Sequence, residues 1–173
     1  MRDMASDPLF PGFRSLGDAT PFAAQIRAVV GHNALFDDFT EADLRHLGPF
    51  MRVYVAPPGG ALIREGDPGD FMLFVVAGMV DVTKSDRWGV VKRIAVVREG
   101  QALGEMSMID GEARFASCTA IEETTFAYLS RPSLQQLITA EPRLAAKILM
   151  KLVFMLSQRL RQTSLKLVNV IEK

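Results

Sequence analysis

The stretch Ile63-Arg64-Glu65-Gly66-Asp67-Pro68-Gly69-Asp70-Phe71-Met72-Leu73-Phe74-Val75-Val76-Ala77-Gly78-Met79-Val80-Asp81-Val82 decides the fold class. Its middle, Gly66 to Asp70, is built from turn residues. The apolar run that follows, Phe71 to Val80, has ten residues and is rich in β-branched and aromatic side chains. A membrane span needs about 20. Gly78 divides that run, so the stretch reads as strand, turn, strand and a further strand.

The same texture extends on both sides, from Met51 to Ser130. Strands are predicted at 51–56, 60–64, 71–77, 79–84, 89–97, 115–121 and 124–129. Turns fall at Pro57-Pro58-Gly59-Gly60, Gly66–Asp70 and Ser85-Asp86-Arg87. Many short strands at this spacing argue a β-sandwich, jelly roll or barrel. Helical patterns flank it, so the chain is mainly β with flanking helices. Before it, Pro21 to Val30 predicts a short helix ended by Gly31-His32-Asn33. Thr40 and Asp43 form a capping box for a helix over 41–47, with Phe39 and Leu44 as its hydrophobic staple. After it, Pro132 opens a short helix through Thr139. A long helix then runs from about Pro142 to Val168, with Leu144, Ala145, Ile148, Leu149, Leu152, Val153, Leu156 and Leu160 on its stripe. Lys147, Lys151 and Arg161 stand away from that stripe. A helix on the order of 40 Å outruns one small barrel, so its distal part is expected to pack on a second copy. The organisation expected is a flexible arm at 1–20, a helical segment at 21–50, the barrel at 51–130 and C-terminal helices at 131–173.

Composition excludes several function classes. The 173 residues are 49% hydrophobic and 23% charged, enough for a core. Lys+Arg and Asp+Glu both number 20, so no net charge draws the chain to nucleic acid or anionic membrane. The one cysteine, Cys118, rules out an intrachain disulfide and a cysteine-based zinc site. The two histidines, His32 and His46, lie before the β region and are read as satisfied helix-region residues. Ser107, Ser117 and Cys118 have no histidine nearby in sequence, so no nucleophilic site is expected and the chain is not read as an enzyme. No signal peptide is apparent, and a cytoplasmic location is the expectation.

The chemistry concentrates in Leu103-Gly104-Glu105-Met106-Ser107-Met108-Ile109-Asp110-Gly111-Glu112-Ala113-Arg114-Phe115-Ala116-Ser117. Gly104 permits close backbone approach by a ligand. The residues after it suit one short helix. Arg114, nine positions after Glu105, suits a phosphate through charge-assisted hydrogen bonds, and Glu105 suits a ribose hydroxyl. Taken alone, the two residues fit a surface ion pair better than a ligand site.

The segments 63–82 and 100–117 together resemble the cyclic nucleotide-binding domain family, shared by catabolite activator-type regulators, cyclic nucleotide-dependent kinases and gated channels. The first is similar to the family's strand–turn–strand signature. The second is similar to its phosphate-binding cassette, with G-E-x-(A/S) at 104–107 and the nine-residue step to arginine. The resemblance covers roughly residues 34–165. It implies an eight-stranded jelly-roll β-barrel with N-terminal helices and a long C-terminal helix. It implies that Glu105 binds the ribose 2′-hydroxyl and Arg114 the cyclic phosphate. Backbone groups of Gly104, Met106, Ser107, Phe115 and Ala116 complete the cradle. The Glu65–Asp70 turn is structural in the family. The family's lid over the base comes from the C-terminal helix, and 148–160 is where to look for it.

Phe115 departs from the family pattern. Cyclic AMP binders often carry a small residue there and cyclic GMP binders a threonine, so the missing hydroxyl favours cyclic AMP. On an alternating strand Phe115 and Ser117 face one way and Ala116 the other. The ring either faces the pocket or packs in the core, and packing is the expectation for an aromatic side chain. The leading reading is a stand-alone receptor for a cyclic mononucleotide, most readily cyclic AMP and otherwise cyclic GMP, needing no cofactor. It signals to a protein effector through its C-terminal helices, as a homodimer, with no helix-turn-helix and no direct DNA or membrane binding. The alternatives are a ligand-free interaction module and a cyclic di-GMP binder.

Overall fold

The structure is a computed structural model that describes residues 8–31 and 34–171. Nine strands among these residues form two antiparallel sheets, where eight were expected. β1 is Arg14–Asp18, β2 Arg52–Ala56, β3 Ala61–Ile63, β4 Phe71–Ala77 and β5 Met79–Ser85. β6 is Val91–Arg98, β7 Ala102–Leu103, β8 Ser117–Ala120 and β9 Thr124–Ser130. One sheet has the order β1-β2-β9-β4-β7 and the other β3-β8-β5-β6. This is the mainly β architecture expected, with the helices α1 (Ala23–Val29), α2 (Glu41–Leu47), α3 (Glu105–Asp110), α4 (Arg131–Ala140) and α5 (Pro142–Ile171) around it.

Two cores result. Between the sheets lie Tyr54, Leu62, Ile63, Leu73, Val75, Val80, Leu103, Cys118, Ala120, Phe126 and Tyr128. On the outer face of the five-stranded sheet, Met51, Val53, Phe74 and Leu129 pack against Ile26, Phe36, Phe39, Leu44, Leu137 and Ile148 of the helical segments. The local signals read from sequence are realised at α2. Thr40 Oγ1 accepts from Asp43 N and Asp43 Oδ2 from Thr40 N, both at 3.0 Å. Phe39 and Leu44, the staple pair, are both buried in this second core.

The expected arm needs correction. Residues 1–7 lie outside the described residues, but β1 pairs with β2, from Arg14 opposite Val55 to Asp18 opposite Arg52. Ahead of it Phe10 is buried in the inter-sheet core, its ring 5.0 Å from Tyr54 and 5.3 Å from Phe126. The gain from burying an aromatic ring, about 1.5–3 kcal/mol, explains why a segment rich in Pro and Gly stays seated. The helix stop expected at 31–33 falls partly, and His32 wholly, outside the described residues.

α5 changes character along its length. Leu144, Ala145, Ile148 and Leu152 are buried. Beyond them Leu160, Leu165, Leu167, Val168 and Val170 are exposed. Lys147 anchors the proximal half by donating to Asp38 O (2.6 Å) and Asp43 Oδ2 (2.9 Å), and Lys151 ion-pairs with Asp37. No helix among the described residues is long and apolar enough to cross a membrane.

Candidate functional site

The turn quoted first builds the seat for Arg114. Gly66 N donates to Arg114 O at 2.9 Å, and Arg114 N donates to Asp67 O at 2.8 Å. Glu65 secures the turn from behind, accepting from Lys84 Nζ at 2.6 Å and from Ser85 N at 3.0 Å. These bonds, with Lys84 first among the causes, hold the Glu65 carboxyl below the usual carboxylate range. Ser117 Oγ accepts from Glu65 N at 2.9 Å, tying the turn to β8. Gly69 leaves the space the guanidinium fills, since a Cβ there would lie 2.0 Å from Arg114 Nε.

Arg114 is only 4% exposed. Its Nη1 donates to Gly104 O and its Nη2 to Phe71 O, both at 2.8 Å, and the guanidinium sits 4.2 Å from the Phe71 ring centroid. No carboxylate among the described residues lies within ion-pair distance of it. Burial lowers its pKa, while the charge of Asp70 acts at longer range in the opposite sense. An arginine stays protonated even so. The result is a buried cation satisfied only by carbonyl dipoles, an arrangement that an anion completes.

Gly104, with φ of +80°, caps α3, the short helix expected after it. Gly104, Met106, Ser107, Arg114, Phe115 and Ala116 line one cavity of about 110 Å³, closed below by Ile63, Val82, Leu103 and Cys118. Glu105 is the exception. It is 1% exposed and turned toward α5, where Oε1 pairs with Arg159 Nη1. Its Oε2 is buried and has no hydrogen-bond partner. The half-exposed Arg159 also donates from Nη2 to Ala102 O at 3.1 Å, and desolvation lowers its pKa. Arg131 makes a second link between the cassette and the C-terminal helices, donating from Nε to Met108 O (2.6 Å) and from Nη2 to Ser107 O (2.9 Å).

Phe115 corrects the packing expectation. β8 starts at Ser117, so strand alternation does not govern position 115. The ring is 59% exposed at the cavity rim, with Lys84 Nζ 4.6 Å from its centroid. Met106, 49% exposed, forms the opposite lip. Of the histidines, His46 is exposed, its Nδ1 3.6 Å from Glu141 Oε1. Among the described residues no group of three or more His, Cys, Asp and Glu is placed to hold a metal.

Arg131 and Arg159 are the site residues that sequence reasoning missed. Arg159 falls within 148–160, the stretch in which a lid was expected and no residue was named. A signal was present beside the expected stripe: Ile148, Leu152, Met155 and Arg159 follow one another at helical spacing, and only the last is charged. Arg131, beside the helix-opening Pro132, carries no such mark.

Residues 53–141 match the family model of the cyclic nucleotide-binding domain. A crystal structure of a cyclic nucleotide-binding domain from Methylobacillus flagellatus superimposes with a TM-score of 0.83 at 37% identity, over 98% of this chain and 95% of that one. The cyclic AMP receptor protein of Thermus thermophilus is 32% identical over 111 residues, which are 64% of this chain and 50% of that protein. A cAMP-dependent protein kinase regulatory subunit of Yarrowia lipolytica is 30% identical over 104 residues, 60% of this chain and 27% of that protein. The chain thus spans half or less of the length of these two relatives. With the family model covering more than half of its length, the chain belongs to the cyclic nucleotide-binding domain family.

Proposed function

We propose that the chain is a receptor for a cyclic mononucleotide, cyclic AMP in the first place, that engages Arg114 through its phosphate and Glu105 through its ribose. The charge balance carries this reading. Within the cluster of Arg114, Glu105 and Arg159 itself, the two guanidiniums against the one carboxylate leave one net positive charge. A cyclic phosphodiester, with its single negative charge, completes that balance, whereas a linear nucleotide monoester overshoots it. The free Oε2 of Glu105 supports a hydroxyl donor beside the phosphate. Backbone groups of Gly104, Met106, Ser107, Phe115 and Ala116 surround the phosphate in this reading.

Ligand pockets usually measure roughly 300–1,000 Å³, so the lips at Met106 and Phe115 move outward on binding. The exposed Phe115 ring is free to stack on the purine base. Lacking a hydroxyl, it offers nothing specific to guanine, which supports cyclic AMP over cyclic GMP. Occupancy reaches α4 and α5 through Arg131 and Arg159, and the repositioned helices present a surface to a protein effector. The exposed Leu160, Leu165 and Leu167 support a homodimer through α5. The small cavity is the one observation that favours a second reading, a ligand-free interaction module on the same fold.

Calorimetric titration with cyclic AMP, cyclic GMP and cyclic di-GMP tests the proposal. Binding of cyclic AMP at micromolar affinity or tighter is expected. Arg114→Ala should weaken it by about 2–5 kcal/mol, tens- to thousands-fold. A folded protein free of co-purified nucleotide that binds none of the three overturns the receptor reading.

A further inference from the structure

We infer that the N-terminal segment 9–13 is a strap that backs the nucleotide site: Phe10 bears on Phe71, and Phe71 positions the guanidinium of Arg114 for the ligand's phosphate. The inference rests on the receptor reading above. Segment 9–13 carries no charge, and Phe10 alone in it is buried. The Phe10 ring meets the Phe71 ring edge-on at 5.7 Å, and Arg114 Cζ lies 4.2 Å from the Phe71 ring centroid. Phe71 also supplies the carbonyl that accepts from Arg114 Nη2. One residue thus holds the cation at two points. Its ring is held in turn by Phe10 and, at 5.0 Å, by Tyr128.

The strap also sets what lies behind Arg114. A cavity of about 420 Å³ is lined by Phe10 and Phe13 of the strap and by Pro68 and Arg114. Arg114 therefore borders two cavities, this one and the one at the cassette. With the strap seated, the arginine stays almost wholly out of water. Lifting the strap opens the cavity beneath it and wets the guanidinium from behind. Opposite charges attract less in wet surroundings than in dry ones, so the phosphate contact weakens with no change at the cassette. The seat is a fitted one. Phe13 N donates to Phe10 O at 3.0 Å, closing the strap's turn, and a Cβ at Gly60 would lie 3.0 Å from Phe13 Cε1.

A strap that only covers the apolar core is the competing account. Phe10 does pack on Tyr54 and Phe126, and those contacts serve stability. The two accounts part on the ligand. If the seated strap strengthens phosphate binding, bound phosphate holds the strap down by the same factor, by the reciprocity of linked equilibria. A cover that plays no part in the site has neither effect.

The test is a cycle of substitutions read in affinity. Cyclic AMP is titrated calorimetrically into the full chain, Phe10→Leu, Phe71→Leu and the double variant, each checked for folding by circular dichroism. Ile26→Val, in the core on the outer face of the five-stranded sheet, is the control for lost stability. Phe71→Leu keeps the carbonyl and loses the ring, so affinity should fall about threefold to thirtyfold, the range for a desolvated cation–π contact. Phe10→Leu should lose about threefold to tenfold, and adding it to Phe71→Leu should cost less than about twofold more, because the ring that relays its effect is gone. Ile26→Val should stay within about twofold of the wild type. In the wild type, saturating cyclic AMP should slow amide exchange at Phe13 by about threefold or more. A Phe10→Leu protein that binds as the wild type does, losses that simply add, an equal loss in Ile26→Val, or unchanged exchange at Phe13 overturns the strap's role and leaves the receptor reading standing. If the Phe10 variants do not fold, exchange at Phe13 in the wild type decides alone. A wild type that binds no cyclic AMP overturns the receptor reading and this inference with it.

Discussion

Gly69→Ala should be among the most damaging small substitutions in the chain. A Cβ at Gly69 would lie 2.0 Å from Arg114 Nε, 2.3 Å from Cζ and 2.7 Å from Nη2. Gly69 is not in the left-handed region, so backbone strain adds nothing and the collision is the whole effect. The guanidinium has no easy retreat, being stacked on Phe71 and bonded at 2.8 Å to Gly104 O and Phe71 O. Clearing the methyl group breaks one or both of these bonds, each about 1.5–3 kcal/mol for a charged donor, so about 2–5 kcal/mol is at stake. At about 2–4 °C per kcal/mol the melting temperature should fall by roughly 4–20 °C. The assay is a double-mutant cycle in denaturant. In an Arg114→Ala background Gly69→Ala should cost less than about 0.5 kcal/mol, since the colliding group is gone. Gly66→Ala is the control. Its φ is +84° and nothing lies within 4 Å of its Cβ, so it should cost about 1–2 kcal/mol in both backgrounds. An equal cost for Gly69→Ala with and without Arg114 would refute the reasoning.

Phe115→Ala should leave stability within about 1 kcal/mol, because the ring is exposed and its contact with Lys84 is a surface cation–π pair. If the ring stacks on the base, cyclic AMP affinity should fall by about 1–3 kcal/mol in calorimetry, and tighter binding would show that the ring blocks the site. Burial pushes the Cys118 thiol up to about 11. Its thiolate fraction at pH 8 is then on the order of one in a thousand, and iodoacetamide should label it no faster than the protein unfolds. Rapid stoichiometric labelling of the native protein would contradict that burial. Leu160→Glu with Leu167→Glu should convert a dimer to a monomer in light scattering at about 50 μM, and a wild type already monomeric there would refute association through α5.

What was legible in the sequence was what neighbours in sequence decide. The Thr40–Asp43 capping box, the Glu65–Asp70 turn and the ends of β4 and β9 depend on residues a few positions apart. Glu105 and Arg114 could be singled out together because the segment between them is continuous in sequence. The misses share the opposite property. β1 needs β2 as a template, and β7 is two residues that count as a strand only beside β4. Phe10 is a core residue only because Tyr54, Phe71, Phe126 and Tyr128 surround its ring. Phe115 was misplaced because strand alternation was extended two residues beyond the start of β8. Arg159 meets Glu105 across 54 positions of sequence, and no local pattern specifies such a partner.

The two anchorages of α5 differ in what can release them. The proximal one combines the buried Leu144, Ala145, Ile148 and Leu152 with Lys147 and Lys151 on the 37–43 segment. Its one carboxyl with a resolved shift is Asp43, held below the usual carboxylate range first by the Thr40 N–H and then by Lys147. A depressed folded-state pKa contributes stability that is present above the unfolded value, about 3.9, and is lost as pH falls through the folded value. At neutral pH the Asp43 contribution to the proximal anchor is therefore insensitive to protons. The distal anchor is Arg159 on Glu105, and it lies within the proposed nucleotide site. Amide exchange followed along α5 at pH 7 should show protection through Leu152 that cyclic AMP leaves unchanged. Between 153 and 162 protection should rise on addition of cyclic AMP and stay flat in Arg159→Ala. A ligand-induced rise of equal size on both sides of Leu152 would mean that α5 responds as one rigid rod, and the division into a fixed root and a ligand-gated distal half would be wrong.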